Sequence, residues 1–255
     1  MHGLILAAGD GSRLARDGVS EPKALVRIGG VPQVVRLAAT MRALGCATVT
    51  AVLREDLLPA LEAARPCPNL GLETAAAPWP DFERVPARTP SSLHTLLRGF
   101  DVLAPGPVFC SMVDTVMRDA DWRRLFAACR RSLDGGAAAA IAVTPFTTGD
   151  GALHAAVDAS GRVTRLAAEA SPSGRVTGGV YAFAPEVRPL AAEAAASGAD
   201  RMRGFLAWLL ERGIRVDAVD VERIIDVDRA SDLALAAALL GGALPGGVPS
   251  GVPRE

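Results

Sequence analysis

The chain's first chemical feature lies near its start, in Leu6-Ala7-Ala8-Gly9-Asp10-Gly11-Ser12-Arg13-Leu14. Two glycines in a turn after an apolar strand let backbone N–H groups approach a ligand closely, and a cluster of such donors suits phosphate oxygens. Arg13, directly behind the loop, adds a planar cation that can bind phosphate through two hydrogen bonds. Neither common nucleotide fingerprint is present: Leu14 stands where a dinucleotide fold needs its third glycine, and no Gly-Lys-Ser/Thr follows. By itself a Gly-x-Gly pair is more often a plain turn than a site. Lys23 follows, the only lysine among 27 Lys and Arg residues. In so Arg-biased a chain it persists either by chance or because a compact ammonium is needed where a guanidinium would not serve.

Two acidic places stand out further along. Asp114 follows the apolar run Pro107 to Val113, which puts it at the carboxyl end of a strand, where α/β sheets bind ligands. The competing reading makes it a helix-preceding cap, with Thr115 and Asp119 able to start the next helix. In Ile224-Ile225-Asp226-Val227-Asp228, two carboxylates occupy alternate strand positions and project to one side. Asp232, a few residues on, reads as a helix-start carboxylate favoured by the helix dipole.

These groups need a scaffold. With 255 residues, half of them hydrophobic, the chain can bury a substantial core. Strand-like runs (Leu4 to Ala8, Val49 to Leu53, Val108 to Val113, Ala138 to Val143) alternate with helix-like segments (Gln33 to Leu44, Pro90 to Leu103, Trp122 to Ser132). That alternation predicts an α/β fold with a mainly parallel, Rossmann-like sheet and helices on both faces. Beyond Pro145 the segments shorten. Ala155 to Asp158 and Arg162 to Ala167 flank Ser160-Gly161 as a hairpin, giving a small β subdomain added to the first half. Gly178 to Phe183, Val216 to Val219 and Arg223 to Val227 are further strands, with helices over Glu186 to Ala196, Arg203 to Arg212 and Ser231 to Leu240. The expected organisation is one domain over 1–240, its first half to about residue 145, followed by a flexible Gly/Pro-rich tail, 241–255.

A net charge of -1 offers no general attraction to nucleic acid or an anionic membrane, and neither is an expected partner. Cys46, Cys67, Cys110 and Cys129 form no Cys-x-x-Cys pair, and His2, His94 and His154 have no zinc spacing. Reduced thiols in a cytoplasmic protein are expected. The apolar start lacks a basic leader, and no stretch approaches a membrane span.

The order and spacing of Leu6-Ala7-Ala8-Gly9-x-Gly11-x-Arg13, Glu21-Pro22-Lys23-Ala24-Leu25 and Gly29-Gly30-Val31-Pro32 resemble the signature of the nucleotidyltransferases with a GT-A type fold. That superfamily includes sugar-nucleotide pyrophosphorylases, alcohol-phosphate cytidylyltransferases and the MobA-like molybdenum-cofactor NTP transferases. The resemblance implies that Leu6, Ala7, Ala8, Gly9, Gly11, Ser12, Arg13 and Lys23 bind a nucleoside triphosphate. Arg13 and Lys23 would be catalytic, with Lys23 on the α-phosphate, where charge is redistributed in the transition state. Elementary chemistry agrees, because phosphoryl transfer asks mainly for positioning and charge stabilisation. The resemblance further implies Mg2+, held by Asp114 together with Asp226, as in the hexose branch, or Asp228, as in the alcohol-phosphate branch.

Hexose-phosphate members of that superfamily carry Glu-Lys-Pro in the acceptor subdomain, whereas this chain has Glu169-Ala170-Ser171. Arg165 or Arg175 is expected to replace the missing charge, Arg175 by preference because it lies just before the Gly178-Gly179 strand. Those glycines resemble an acceptor-lining strand that allows close approach; the other reading is a bulged or crowded strand. His94 is assigned no chemistry. The expected reaction transfers a nucleoside monophosphate from a triphosphate to a small phosphorylated or phosphonate acceptor, such as a sugar, polyol or alcohol phosphate, releasing pyrophosphate. Two other readings stand beside it. One is a GT-A glycosyltransferase with a nucleotide-sugar donor, using Asp226-Val227-Asp228 as an Asp-x-Asp motif, although that motif normally follows a mid-chain strand. The other is a catalytically silent nucleotide-binding module, which would leave Arg13, Lys23 and the acidic groups unexplained.

Overall fold

The computed structural model describes residues 1–9, 12–64, 79–146, 151–171 and 173–241. In chain order the elements are β1 (His2–Ala7), α1 (Ser12–Arg16), β2 (Arg27–Ile28), β3 (Val31–Pro32), α2 (Gln33–Ala43), β4 (Val49–Leu53), α3 (Leu58–Ala63), β5 (Glu83–Pro86), α4 (Ser92–Val102), β6 (Val108–Met112) and β7 (Thr115–Val116). The second half comprises α5 (Asp119–Asp134), β8 (Ala139–Thr144), β9 (His154–Val157), β10 (Val163–Ala167), β11 (Arg175–Phe183), α6 (Val187–Ala196), α7 (Met202–Glu211), β12 (Val216–Asp220), β13 (Ile225–Asp226) and α8 (Ala230–Leu240).

The main sheet runs β5-β4-β1-β6-β11-β8-β12, and within it only β11 is reversed. Its strands are continuous apolar runs because both faces are covered. Ile5, Ala7, Ala51 and Phe109 pack with α2 and α5 on one side; Leu4, Leu6, Val52 and Cys110 pack with α4, α6 and α7 on the other. Four consecutive residues of β1, Leu4 to Ala7, are accordingly at most 3% exposed. The architecture is α/β, with a mostly parallel sheet between helical layers. Among the described residues no helix is long and apolar enough to cross a membrane. Cys46, Cys110 and Cys129 are buried free thiols, and Cys67 lies outside the described residues, as does the tail beyond Gly241.

A smaller construction carries more of the chemistry. β13 does not join the main sheet. The expected strand Arg223 to Val227 is shorter, two residues, and pairs with β7, setting Asp226 opposite Thr115 and Ile225 opposite Val116. The Val227 N–H then donates to the Asp114 carbonyl at 3.0 Å. A third apolar cluster, including Leu14, Val26, Val116, Ile225, Val227 and Leu239, lies beneath this ladder and ties α1, β2 and α8 to it. Helix α5 begins at Asp119 after an N-cap at Arg118, so Asp114 does not cap a helix. Several short elements escape sequence patterning, α1, β2, β3 and α3 among them; β5 has one buried residue, Val85, and β7 is only two residues long.

The β9–β10 hairpin is antiparallel as expected, its turn closed by Asp158 Oδ1, which accepts from the Ser160 and Arg162 N–H groups at 2.8 and 3.1 Å. β9 and β6 pair with β11 on the edge opposite β8, and the β11–β8 register shifts between Thr177 and Tyr181. Gly178 and Gly179 lie in that irregularity, and packing alone requires them to be glycine. A Cβ on Gly178 would collide with Ile224 Cδ1; on Gly179, whose φ is +69°, it would lie 2.7 Å from Thr115 Oγ1. Gly179→Ala should therefore cost about 1–3 kcal/mol of stability through left-handed strain and the clash with Thr115. The urea midpoint should fall with an unchanged slope. An unaltered midpoint would show that the strand does not need the bulge.

Candidate active site

The phosphate-type loop leaves β1 at the carboxyl end of the sheet. Leu6, Ala7 and Ala8 are 3, 1 and 5% exposed, so their side chains belong to the core and only their backbone can serve a ligand. Gly9 is exposed, and a Cβ there would meet nothing within 4 Å, which leaves the backbone open to an incoming group. Ser12 opens α1, and Gly11 lies outside the described residues.

Lys23 and Asp228 are brought together from opposite ends of the chain, with Asp114 between them in sequence. The Lys23 ammonium donates to Asp114 Oδ2 and, at 2.5 Å, to Asp228 Oδ1, while Arg13 Nη1 donates to Asp228 Oδ2 at 2.7 Å. The Lys23 and Asp114 side chains are only 15 and 13% exposed, against 36% for Asp228 and 58% for Arg13. Burial works against the Lys23 charge, but Asp114 and Asp228 outweigh it and raise the pKa, so the lysine is an ammonium throughout the physiological range. Burial also opposes the Asp228 charge; Lys23 and then Arg13 more than offset this and hold its carboxyl below the usual carboxylate range.

Asp226 differs from both neighbours. Its Oδ1 is buried without a hydrogen-bond partner. Burial, reinforced by the Asp114 carboxylate, pushes its carboxyl up to about 8. Asp226 and Asp228 thus reach the same region by different routes rather than as neighbours on one strand face. β13 ends at Asp226, and Asp228 follows in a turn in which its N–H donates both to the Asp226 carbonyl and to Asp232 Oδ2, each at 3.0 Å. Asp232 also accepts from the Arg229 N–H at 2.8 Å, which confirms it as the helix-start carboxylate of α8.

Beside these groups opens a cavity of about 280 Å³. Arg13, Asp114, Asp226 and Asp228 line it, as do Gly178, Gly179 and Tyr181 of β11, and Arg201 and Arg203 at the start of α7. Arg175 is not among its lining residues; its guanidinium is taken by both oxygens of Asp220 on β12. Arg165 pairs at 3.2 Å with Glu169, both largely exposed. Three further arginines on the lining, Arg201, Arg203 and Arg229, escaped sequence reasoning. One signal was available: two arginines at a helix N-terminus, where the macrodipole disfavours positive charge. Arg201 lies 3.6 Å from Asp200, and Arg203 is exposed with no ion pair or hydrogen bond among the described residues.

The fold that carries this cavity, a mostly parallel sheet between helical layers, has counterparts in known proteins. The inositol-1-phosphate CTP transferase from T. maritima superposes with a TM-score of 0.73 at 14% identity, covering 93% of this chain and 95% of that one. A protein assigned as a glucose-1-phosphate thymidylyltransferase from Bacillus anthracis also gives 0.73, at 16% identity and 94% coverage of each chain. At such identities the likeness is one of fold. The bifunctional protein GlmU of Leifsonia xyli subsp. xyli is 29% identical over 243 residues, which span 91% of this chain and 47% of that protein. The chain therefore spans about half the length of this curated relative. The MobA-like NTP transferase domain matches residues 3–212, most of the chain and all of its loop, lysine and first aspartate, and the chain belongs to that nucleotidyltransferase family.

Proposed function

We propose that the protein transfers a nucleoside monophosphate from a nucleoside triphosphate to a small phosphorylated or phosphonate acceptor, releasing pyrophosphate. The observation that carries this reading is the placement of charge: Arg13, Asp114, Asp226 and Asp228 line the cavity, Lys23 bridges Asp114 and Asp228, and Arg201 and Arg203 line it from α7. Sugar or polyol phosphates are the favoured acceptors, in keeping with the substrates in the names of the two structural relatives. The first half of the domain, to about residue 145, would hold the nucleotide, and residues 146–240 the acceptor. A cytoplasmic location, where triphosphates are abundant, is part of the same reading.

In this scheme the open backbone at Gly9, with Gly11, Ser12 and Arg13, receives the triphosphate, and Lys23 follows charge on the α-phosphate as the bond to pyrophosphate breaks. No protein nucleophile is required, since an acceptor phosphate or phosphonate is already anionic; Arg203 and Arg201 orient it for attack on the α-phosphorus. The carboxylates suit Mg2+: they are hard oxygen donors, and the buried, unpartnered Asp226 Oδ1 is an acceptor in need of a cation. Among the described residues no three acidic, His or Cys side chains converge into a closed metal site, which fits an ion held by one or two carboxylates and the substrate's phosphates. Asp114 with Asp226 or Asp228 would hold it, and it would offset triphosphate charge.

Pyrophosphate release measured across a matrix of triphosphates and phosphorylated acceptors tests the reading directly. Lys23→Ala should lower the best activity by at least about a hundredfold, the scale of losing one transition-state charge contact. Silence across the matrix would refute the proposal. On the acceptor side, Arg203→Ala should raise the acceptor's KM about tenfold or more, leaving that of the triphosphate near its original value, with Arg175→Ala affecting neither. A selective effect of Arg175 instead would move the acceptor site to the β12 side.

Asp226 yields a prediction in which stability and activity part company. The folded carboxyl keeps its proton up to about pH 8, whereas an unperturbed aspartate loses it near 3.8. Folding therefore takes up a proton throughout that interval, and stability falls as pH rises across it. Asp226→Asn removes the dependence. It should raise the Tm of the metal-free protein at pH 8 by several degrees relative to wild type, with little gain at pH 4, while lowering Mg-dependent turnover. A Tm difference independent of pH would show that Asp226 ionises normally.

A further inference from the structure

We propose that Lys23 is the resting counter-cation of the carboxylate site: it holds Asp114 and Asp228 against a free divalent cation and releases them only when a triphosphate draws the ammonium away. The proposal rests on the nucleotidyl-transfer reading for the identity of the releasing anion, and on geometry for the rest. One ammonium bridges Asp114 Oδ2 and Asp228 Oδ1, and Arg13 takes the second oxygen of Asp228. Two cations and two carboxylates are thus matched within the protein. The groups meant to meet phosphate and those meant to meet metal neutralise one another.

A divalent cation arriving alone has to break both lysine contacts. It then leaves the displaced ammonium next to a dication in surroundings where that side chain is only 15% exposed. Screening there is weaker than in bulk water, so repulsion between the two cations counts against the metal. A triphosphate changes the balance. Its oxygens offer Lys23 and Arg13 new anions, and the carboxylates pass to the divalent cation, so ion pairs are exchanged rather than lost. The exchange also accounts for the persistence of one lysine in an arginine-rich chain. A point charge on a flexible stem can move between carboxylates and phosphate, whereas a planar guanidinium fixed in two directions cannot follow as freely. Metal and triphosphate should consequently bind with strong positive coupling, and the metal should bind poorly before the nucleotide.

Mn2+ binding to the full chain without nucleotide, followed by electron paramagnetic resonance, separates the outcomes. Lys23→Met should bind Mn2+ about tenfold or more tightly than wild type, within the usual range of coupling between ligands. Adding Asp114→Asn to that variant should abolish the gain. Equal Mn2+ affinity in wild type and Lys23→Met would overturn the proposal. If Lys23→Met fails to fold because two carboxylates are left facing each other, the wild type answers by itself. Labelled with 15N-lysine, it has a single side-chain ammonium resonance. That resonance should be unmoved by millimolar Mg2+ and should shift when Mg2+ is added with at least one of ATP, CTP, GTP, UTP or dTTP. A shift with Mg2+ alone, or no shift with any triphosphate, would overturn the exchange. The nucleotidyl-transfer reading is judged apart from this, by pyrophosphate release, so a triphosphate that moves Lys23 without turnover would sink that reading and leave the exchange standing.

Discussion

An ammonium shared by two carboxylates is the interaction on which this site depends, because each of the three residues is delivered by a different part of the fold. Lys23 precedes the β2–β3 hairpin, Asp114 follows β6, and Asp228 follows β13. No local sequence preference could bring them together. What does so is the two-residue ladder between β7 and β13, with the Val227 N–H on the Asp114 carbonyl, seated on the apolar cluster of Leu14, Val26, Val116 and Ile225. The burial of that small cluster pays for assembling charges that would otherwise stay in water. Asp232 then fixes the Asp228 backbone from the start of α8.

Charge balance at the site is uneven, and the unevenness is informative. Asp114 and Asp228 are satisfied by cations, whereas Asp226 is buried against Asp114 with one oxygen unpartnered. A carboxyl in such a place lowers stability at neutral pH, and an asparagine or an apolar residue would fold better. Residues that oppose the stability of their own fold concentrate where chemistry requires them. The exposed Arg175–Asp220 pair is the opposite case. Ion pairs of that kind contribute roughly 0–1 kcal/mol, too little to lock an arginine against a competing phosphate. Position, not pairing strength, keeps Arg175 out of the cavity.

The elements that carry Arg13, Lys23 and Asp114 were legible in the sequence because they rest on short-range regularities: a buried strand, a glycine turn, a lysine in a fixed motif, and an aspartate directly after an apolar run. Each has a local cause that survives folding, and the doubly covered parallel sheet followed from the same alternation. Which arginines would line the cavity was not legible. The place of Arg175 beside Asp220 depends on the register of β11 against β8 and of β8 against β12, and register is set by pairing partners distant in sequence. Arg203 was passed over because it belongs to a helix whose buried residues, Met202, Phe205, Leu206 and Leu209, dominate its pattern. β13 was overestimated for a similar reason. Its apolar flanks, Ile224 and Val227, face two different clusters, so a continuous strand signal arose from two separate packings.

The cations at and beside the cavity therefore stand in two different physical situations. Lys23 and Arg13 are matched by carboxylates before any ligand arrives, and a triphosphate must offer them more than they already have. Arg203 has no such partner among the described residues, so an anion meeting it displaces only water. On the proposed reading, recognition of the acceptor phosphate is governed by direct attraction and fit, and recognition of the triphosphate by exchange of ion pairs. Glycines in the β11 bulge serve the first of these, since side chains at Gly178 and Gly179 would meet Ile224 and Thr115 and deform the strand that bounds the cavity. The packing account of these glycines and the acceptor account are thus one constraint. A strand packed against Thr115 and the Ile224 side chain keeps its register shift only without side chains there, and the same two glycines line the cavity.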